Sequence, residues 1–207
     1  MPRFSYSLVM GPMFAGKTSS LIEDFHQAQG SGRNVLVLAP SIDTRHSGNG
    51  IVSHTGQIVK PVFRIGDSRG LLSALSRLPR HQDCTILVDE CQFFDVSFTE
   101  DFLESLMFLL ADRDTHIHIG FYGLDNDARC RPWPMTDRIR LLPEIVVRKI
   151  TARCSVCGSP AIYTDRVNAG DVVQIGGKET YFPVCHKHHH LHSGAAAAPA
   201  QALEQVA

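Results

Sequence analysis

Eight consecutive residues near the start of the chain have the types and the spacing of a phosphate-binding loop. Residues 11–18 read G-P-M-F-A-G-K-T, which fits the pattern G-x-x-x-x-G-K-T. A loop of this kind turns successive backbone N–H groups and the positive end of the following helix toward one point, where they hold a polyphosphate. In such a site the ammonium group of Lys17 reaches the β- and γ-phosphates, and the hydroxyl group of Thr18 is a ligand of the accompanying Mg²⁺. The residues predicted to contact the phosphates are Gly11, Pro12, Met13, Phe14, Ala15, Gly16, Lys17 and Thr18.

The segments on either side of this loop decide between nucleotide binding and a chance glycine-rich turn. Residues 4–10 form an apolar run that predicts a strand, whereas residues 18–29 predict a helix, because their apolar residues recur at helical spacing. These apolar residues are Leu21, Ile22, Phe25 and Ala28. A strand, a loop and a helix in this order are the context that the motif requires. The sequence therefore predicts a nucleotide-binding loop.

Two adjacent carboxylates follow another apolar strand. Residues 84–88 read C-T-I-L-V and are followed directly by Asp89 and Glu90. The carboxyl ends of buried parallel strands are where an open α/β sheet places its ligands. Asp89 would then hold Mg²⁺, directly or through water, and Glu90 would act as the base on the attacking nucleophile. The alternative is a strand-to-loop junction with two solvated acids.

Strands and helices alternate over roughly the first 150 residues. Further strands are predicted at 34–39, 59–65 and 116–122, and further helices at 71–78 and 99–112. This alternation predicts an α/β fold of the P-loop NTPase type, with a mostly parallel, doubly wound sheet in a nucleotide-binding domain over residues 1–150. His116 and His118 are interpreted as solvent-facing edge residues, because no third metal ligand lies near them in the sequence.

The composition is that of a globular protein with one main core. The chain has 207 residues, of which 43% are apolar, and its formal net charge is −1. A charge this close to zero argues against a nucleic-acid partner, which would require an excess of basic residues. The apolar stretches are too short to span a bilayer and the first residues lack the features of a signal peptide, so we expect a cytoplasmic protein with no membrane partner. Six cysteines in that reducing compartment are expected to be free or bound to metal.

Two pairs of potential metal ligands stand in the last quarter of the chain. Cys154 and Cys157 have the spacing C-x-x-C, and Cys185 and His188 have the spacing C-x-x-H. Four such ligands suit tetrahedral Zn²⁺ in a structural role, and the metal would supply folding energy to a segment of low apolar content. Other histidines of the run 186–192 could take the place of His188, although the spacing favours His188. A redox-active dithiol is the alternative for the first pair.

Three further segments lack the periodicity of a helix or a strand. Residues 41–57 form a polar connector that carries Asp43 and Arg45, and a connector of this length is either functional or simply solvated. Residues 175–181 form a glycine-rich loop that could cover a ligand as a lid. Residues 192–207 are low in complexity and are predicted to form a disordered tail, and a role of the preceding histidines in metal storage stays open.

Taken together, these motifs resemble those of the type II thymidine kinases, in the same order from residue 5 to about residue 190. Residues 11–18 match the phosphate-binding loop of that family, GPMF(S/A)GKT, and residues 88–94 match its strand motif V-D-E-x-Q-F-F. Asp43 and Arg45 fall in its D-x-R loop. The zinc ligands of the family correspond to Cys154, Cys157, Cys185 and His188, and residues 151–191 to its zinc-binding lasso subdomain.

The resemblance implies a reaction, its cofactors and its partners. The expected reaction is transfer of the γ-phosphoryl group of ATP to the 5′-hydroxyl of thymidine, with deoxyuridine as a second candidate substrate. The expected cofactors are Mg²⁺ with ATP and structural Zn²⁺, and the expected assembly is a homotetramer. Glu90 would be the catalytic base, and Asp89 and Gln92 would belong to the ATP site. The substrate-binding residues correspond to Met13, Asp43, Arg45, Phe93, Leu124, Gln174, Gly176 and Tyr181.

Three positions depart from the pattern of the family. Ala128 stands where most members have a phenylalanine that packs on the base, His186 replaces an arginine, and Gln174 replaces an apolar residue. Loss of an aromatic face costs about 1–3 kcal/mol of stacking, so either Trp133 or another side chain compensates or the base preference differs. Two other functions therefore stay open. One is a P-loop ATPase whose zinc element binds a partner or nucleic acid, and the other is a kinase paralogue that has lost thymidine.

Overall fold

The computed structural model describes residues 3–43, 50–52, 56–110, 115–167, 176–177 and 179–190. Arg45, Gln174 and the predicted tail at 192–207 lie outside these residues. None of the described helices is long and apolar enough to cross a membrane.

The described chain alternates between strands and helices, as the sequence predicted. The strands are Arg3–Met10 (β1), Asn34–Pro40 (β2), Ile51–Val52 (β3), Ile58–Val59 (β4), Phe63–Ile65 (β5), Cys84–Val88 (β6), His116–Gly123 (β7), Val146–Lys149 (β8), Ala152–Arg153 (β9), Pro160–Ala161 (β10), Tyr163–Arg166 (β11) and Tyr181–Val184 (β12). The α-helices are Lys17–Gly30 (α1), Ser68–Leu75 (α2), Ser97–Leu110 (α3) and Pro134–Ile139 (α4), and short 3₁₀ helices cover Cys91–Phe93 and His186–His188.

Six strands form one parallel sheet in the order β5-β2-β6-β7-β1-β8. Helix α1 covers one face with Leu21 and Ile22, whereas Leu71 of α2 and Phe102 of α3 belong to the core on the other face. Burial of each apolar side chain of this kind stabilises the folded state by about 1.5–3 kcal/mol relative to leaving it exposed. The α/β fold with helices on both faces of a parallel sheet is therefore confirmed.

The predicted strand at 59–65 is wrong as a single element. It is divided into β4, which pairs with β3 outside the main sheet, and β5, which pairs with β2 inside it. Pro61 lies between the two and has no backbone N–H to donate to a neighbouring strand, so one continuous strand is disfavoured there. Helix α2 also ends earlier than predicted, at Leu75.

The interpretation of His116 and His118 as edge residues is also wrong, because β7 lies between β6 and β1 in the sheet. The two imidazoles are hydrogen-bonded to the hydroxyl group of Ser5, at 2.9 Å and 3.0 Å, and His118 also contacts Ser7 at 3.1 Å. Burial and the nearby Arg33 guanidinium lower the pKa of both histidines. These side chains belong to the amino end of the sheet.

The segment after the main sheet has a small core of its own, which its composition did not predict. Ala161, Phe182 and Val184 are buried together with the cysteines 154 and 185, and Ala15 of the phosphate-binding loop packs against them. Two short antiparallel pairs, β9 with β10 and β11 with β12, provide the framework. Two of the predicted metal ligands, Cys154 and Cys185, are thus part of this core, which contacts the phosphate-binding loop at Ala15.

Candidate active site

The carboxyl edge of the parallel sheet brings the predicted site residues together. In the β1–β7 register Met10 lies opposite Gly123, and in the β6–β7 register Val88 lies opposite Phe121. Each of these three neighbouring strands is followed directly by predicted site residues: the phosphate-binding loop follows β1, the Asp89–Glu90 pair follows β6 and Leu124 follows β7. Parallel strands end at the same edge, so the three segments converge there.

The loop at residues 11–18 has the backbone of an anion-binding turn. Phe14 and Gly16 have positive φ angles of 62° and 91°, and α1 begins at Lys17. The Lys17 Nζ donates to the carbonyl oxygens of Gly11, at 3.1 Å, and Pro12, at 2.6 Å, so the ammonium group is held over the loop. A Cβ atom at Gly11 would lie 2.2 Å from the carbonyl oxygen of Ile150. Only glycine fits at that position.

Glu90 is held in place by a short chain of hydrogen bonds. Its backbone is in the left-handed region, with φ 46°, and the Gln92 Nε2 donates to the Glu90 Oε2 at 2.6 Å. The Gln92 Oε1 accepts from the backbone N–H of Leu124 at 3.0 Å. Gln92 is 3% exposed, and a Cβ atom at Gly123 would lie 2.9 Å from its Oε1. Gln92, predicted to contact ATP, thus connects Glu90 to the residue after β7.

Cys91 lies between these residues but is not a nucleophile. Its side chain is fully buried. Burial and the adjacent carboxylates of Glu90 and Asp89 raise the pKa of the Cys91 thiol far above its usual range. A neutral, inaccessible thiol packs like a small apolar side chain.

Asp43, the first residue of the predicted D-x-R loop, is buried just beyond the end of β2. Its carboxylate lies 3.6 Å from the Nη1 of Arg64, on the neighbouring strand β5. The other residue of that motif, Arg45, lies outside the described residues. The observed ion pair fixes the start of the loop at the same sheet edge as the phosphate-binding turn.

Apolar and aromatic side chains predicted to contact the substrate come from separate elements. Phe93 contacts Trp133 edge to face, with ring centroids 5.7 Å apart. The carbonyl oxygen of Leu124 accepts from the Thr136 Oγ1 at 2.8 Å, which anchors the loop after β7 to α4. Tyr181 is buried at the start of β12.

Gly176 lies in the loop before β12, within the segment predicted to form a lid. A Cβ atom at Gly176 would lie 2.4 Å from the Oγ1 of Thr180, so a larger residue would not fit this turn. The N–H of Tyr181 donates to the carbonyl oxygen of Gly177 at 3.0 Å. The described part of the loop is therefore tied to β12, while Gln174 lies outside the described residues.

Thr164 is a site residue that the sequence reasoning missed. Its Oγ1 accepts from the backbone N–H of Met13 at 2.9 Å, which ties β11 to the phosphate-binding loop. The contact joins residues 151 positions apart, and no local sequence pattern predicts that a threonine in a short strand makes it. The C-terminal segment is thus attached directly to the loop predicted to hold phosphate.

The four predicted zinc ligands form one cluster. The Sγ atoms of Cys157 and Cys185 are 3.8 Å apart, and the Nδ1 of His188 lies 3.3 Å from the Cys185 Sγ and 3.6 Å from the Cys154 Sγ. Tetrahedral zinc with Zn–S bonds near 2.3 Å separates neighbouring sulfur ligands by about 3.8 Å and a sulfur and a nitrogen by roughly 3.5 Å. The donor set and its spacing fit Zn²⁺.

A glycine-rich loop between a strand and a helix, with a carboxylate pair at the end of a neighbouring parallel strand, defines a P-loop phosphotransferase or nucleoside triphosphatase. Comparison with protein families is more specific. The thymidine kinase family model matches residues 5–189, and the chain belongs to this family. It is therefore an ATP-dependent kinase that transfers a phosphoryl group to thymidine.

Proposed function

We propose that Glu90 is the catalytic base that accepts the proton of the thymidine 5′-hydroxyl. The 5′-oxygen forms a bond to the γ-phosphorus, the bond from that phosphorus to the β–γ bridging oxygen breaks, and ADP leaves. The observation that carries this proposal is the hydrogen bond between Glu90 and Gln92 at the sheet edge where β1 ends and the loop of residues 11–18 begins. The hydrogen bond from Gln92 to one carboxylate oxygen of Glu90 fixes the orientation of the carboxylate, so its other oxygen can accept the proton from a defined direction.

The phosphate-binding loop positions ATP for this attack. Backbone N–H groups of residues 14–18, at the N-terminus of α1, hold the phosphates, and Lys17 exchanges its loop carbonyl partners for phosphate oxygens. Thr18 and Asp89 supply the oxygen ligands that Mg²⁺ prefers, and the ion neutralises charge on the phosphates when it is bound. Catalysis is then mainly positioning and electrostatic stabilisation.

The walls of the nucleoside site are assigned to Met13, Phe93, Leu124 and Tyr181. Backbone groups near Gly176 are assigned to contact the polar edge of the base. Trp133, in contact with Phe93, supplies an aromatic surface that Ala128 does not. Asp43, Arg45 and Gln174 complete the substrate-binding set by resemblance to the family. Fixed donors and acceptors around a pyrimidine edge reject purines, because unmatched buried polar groups are costly.

The C-terminal segment, residues 151–191, is proposed to be a lasso subdomain whose zinc ion is structural. Cys154, Cys157, Cys185 and His188 would hold the ion, and the small core around them supports that role. A closed four-ligand site stabilises the fold without taking part in the reaction.

A cytoplasmic homotetramer is proposed on the resemblance to the family. The exposed face of the edge strand β8, with Val146 and Val147, and the nearby exposed Leu141 are apolar surfaces that an assembly would cover. Light scattering after gel filtration should give a mass four times that of the 22.9 kDa chain. A monomeric mass would contradict the assembly.

The experiment for the function as a whole is transfer of label from γ-labelled ATP with Mg²⁺, to thymidine, deoxyuridine, deoxycytidine and each purine deoxynucleoside separately. A reaction without nucleoside is the control. Labelled thymidine monophosphate is expected, with less label on deoxyuridine and none on purines. Equal release of free phosphate with and without nucleoside would instead indicate an ATPase, and preference for deoxycytidine would indicate a paralogue.

A further inference from the structure

A second group of potential metal ligands lies beside the first and is not needed by the reaction. Asp165, His189 and His190 offer one carboxylate oxygen and two ring nitrogens within 4.8 Å of one another. The Sγ of Cys130 adjoins this group, 3.5 Å from the Nε2 and 3.7 Å from the Nδ1 of His189. Three side chains of the types that bind zinc therefore form one group, and a fourth adjoins it at His189.

The group is assembled inside the protein rather than on its surface. His189 is 0% exposed and Asp165 is 1% exposed, whereas Cys130 and His190 are half-buried. Fully buried Asp and His side chains are uncommon unless they are paired or bind a metal. The mere presence of a histidine run does not account for this burial, because His186 in the same run is exposed.

Each of the candidate ligands is oriented by its neighbours. The carboxylate of Asp165 accepts from the backbone N–H of Arg166 at 2.8 Å, the His190 Nδ1 at 2.7 Å and the His190 N–H at 3.0 Å. The ring of His189 lies between those of Tyr163, at 5.2 Å, and His190, at 4.7 Å. These contacts hold the carboxylate and both imidazoles in one place.

Cys130 is brought to the group by the loop after β7. Asp127 organises this loop, because its carboxylate accepts from the N–H groups of Arg129 and Arg131 at 2.8 Å and 2.9 Å. Cys130 has a positive φ of 58°, a left-handed conformation that a residue with a side chain adopts rarely and only where its surroundings impose it. The loop thus presents a cysteine where asparagine or glycine would be easier to accommodate.

We propose that Asp165, His189, His190 and Cys130 form a second site for a divalent transition-metal ion, for which Zn²⁺ is the best match. One thiolate, two imidazoles and one carboxylate are ligands that Zn²⁺ accepts in tetrahedral geometry. Neighbouring ligand atoms of tetrahedral zinc lie about 3.3–3.6 Å apart, so the separations among Asp165, His189 and His190, and that of Cys130 from His189, differ from those of a zinc site by roughly 1.5 Å or less. Binding releases the thiol proton of Cys130 to solvent and leaves both imidazoles neutral.

The main alternative is a hydrogen-bonded Asp–His pair next to an inert thiol. A reactive thiolate is not indicated, because burial and the carboxylates of Asp127 and Asp165 raise the pKa of Cys130. A metal-free pair accounts for Asp165 and His190, but it gives no reason for the placement of Cys130 against the ring of His189. The two possibilities differ in the number of metal ions per chain.

A metal at this site would connect the loop of the main domain to the lasso subdomain. Cys130 belongs to the loop that also contains Leu124, whereas Asp165 lies on β11 next to Thr164, which bonds the phosphate-binding loop. The ion would therefore cross-link these two segments. The proposal concerns metal content and does not rest on the roles assigned to the catalytic residues.

The test is the zinc content of the full-length chain, purified after zinc supplementation, exchanged into buffer with a weak chelator and measured by mass spectrometry. Two zinc ions per chain are expected for the natural sequence, and one for Cys130→Ser and for His190→Gln. The matched controls, Cys84→Ser on β6 and His186→Gln in the exposed part of the run, are expected to retain two. The ion at the first cluster, which includes Cys154 and His188, should remain in every variant and thus provides the reference count of one ion per chain.

One zinc ion per chain in the natural sequence would overturn the proposal. Two ions that persist in both Cys130→Ser and His190→Gln would overturn it as well, and so would loss of an ion only in His186→Gln, which would indicate adventitious binding to the histidine run. If a variant loses both ions, the number of sites is instead measured by titrating the metal-free natural chain with Co²⁺. Saturation of the visible absorption at two equivalents supports the second site, and saturation at one contradicts it.

Discussion

At the scale of single residues, the arrangement around Glu90 depends on Gln92. Replacing Gln92 by alanine removes the hydrogen bond to Glu90 and leaves the buried N–H of Leu124 without its partner. An unsatisfied buried donor costs about 1–3 kcal/mol of stability. We expect Gln92→Ala to lower kcat by roughly tenfold or more, because the base loses its fixed orientation.

A comparison of the kcat effect with thermal unfolding separates these two consequences for Gln92. Gln92→Glu keeps the size and the acceptor for the N–H of Leu124 but cannot donate to Glu90, so it is expected to lower kcat while the Leu124 contact is retained. If Gln92→Ala lowers only the melting temperature and leaves kcat unchanged at 25 °C, Gln92 has a purely structural role.

Trp133 is the residue on which base binding should depend most in the absence of an aromatic residue at 128. Removing it takes away the edge-to-face contact with Phe93 and the proposed apolar surface for the base. Trp133→Ala is expected to raise the KM for thymidine by about 5–150-fold, the equivalent of 1–3 kcal/mol of stacking. Trp133→Phe should recover most of this loss. Unchanged KM in Trp133→Ala would assign the base contact to another side chain.

At the scale of secondary-structure elements, the attachment of β11 to the phosphate-binding loop is open to test. Thr164→Val keeps the shape of the side chain but leaves the N–H of Met13 without its acceptor. We expect a higher KM for ATP and a loss of about 1–3 kcal/mol in stability. Thr164→Ser, which keeps the hydroxyl group, should behave like the natural sequence. Equal ATP binding by Thr164→Val and the natural chain would show that the loop does not need this contact.

Some elements followed directly from the sequence and others did not. The helix α1 and the strands β1, β2 and β6 agree with prediction to within a few residues, because strong hydrophobic periodicity and glycine or proline ends define them locally. The division of residues 59–65 into two strands has a local cause in Pro61, whereas the central place of β7 depends on which strands pair. Strand pairing is decided by contacts distant in sequence, which local periodicity does not encode.

At the scale of the whole molecule, the zinc cluster should determine the stability of the lasso subdomain. Metal removal by a strong chelator, or Cys157→Ser, is expected to abolish thymidine phosphorylation and to make residues 151–190 sensitive to proteolysis, while the main domain stays resistant. Gel electrophoresis after brief proteolysis, followed by readdition of Zn²⁺, provides the measurement. Full activity and unchanged resistance of the metal-free protein would contradict a structural role.

The candidate site was predictable where motifs are contiguous and was not where its residues are far apart. Residues 11–18 and the Asp89–Glu90 pair lie within short motifs, whereas the bond between Thr164 and Met13 spans 151 positions. The link from Gln92 to Leu124 and the contact of Cys130 with His189 likewise join distant segments. Such contacts arise from the fold, so the sequence indicates their chemistry only after the strands have been placed.

The most direct test of the central claim is the single-turnover rate of phosphoryl transfer from γ-labelled ATP to thymidine in Glu90→Gln. Glu23→Gln, an exposed position on α1, is the matched control. Glutamine keeps the size and the contact with Gln92 but cannot accept a proton, so we expect the rate to fall by about 10²–10⁴-fold while ATP binding is unchanged. Thymidine monophosphate formed at the natural rate in Glu90→Gln would contradict the assignment of Glu90 as the base.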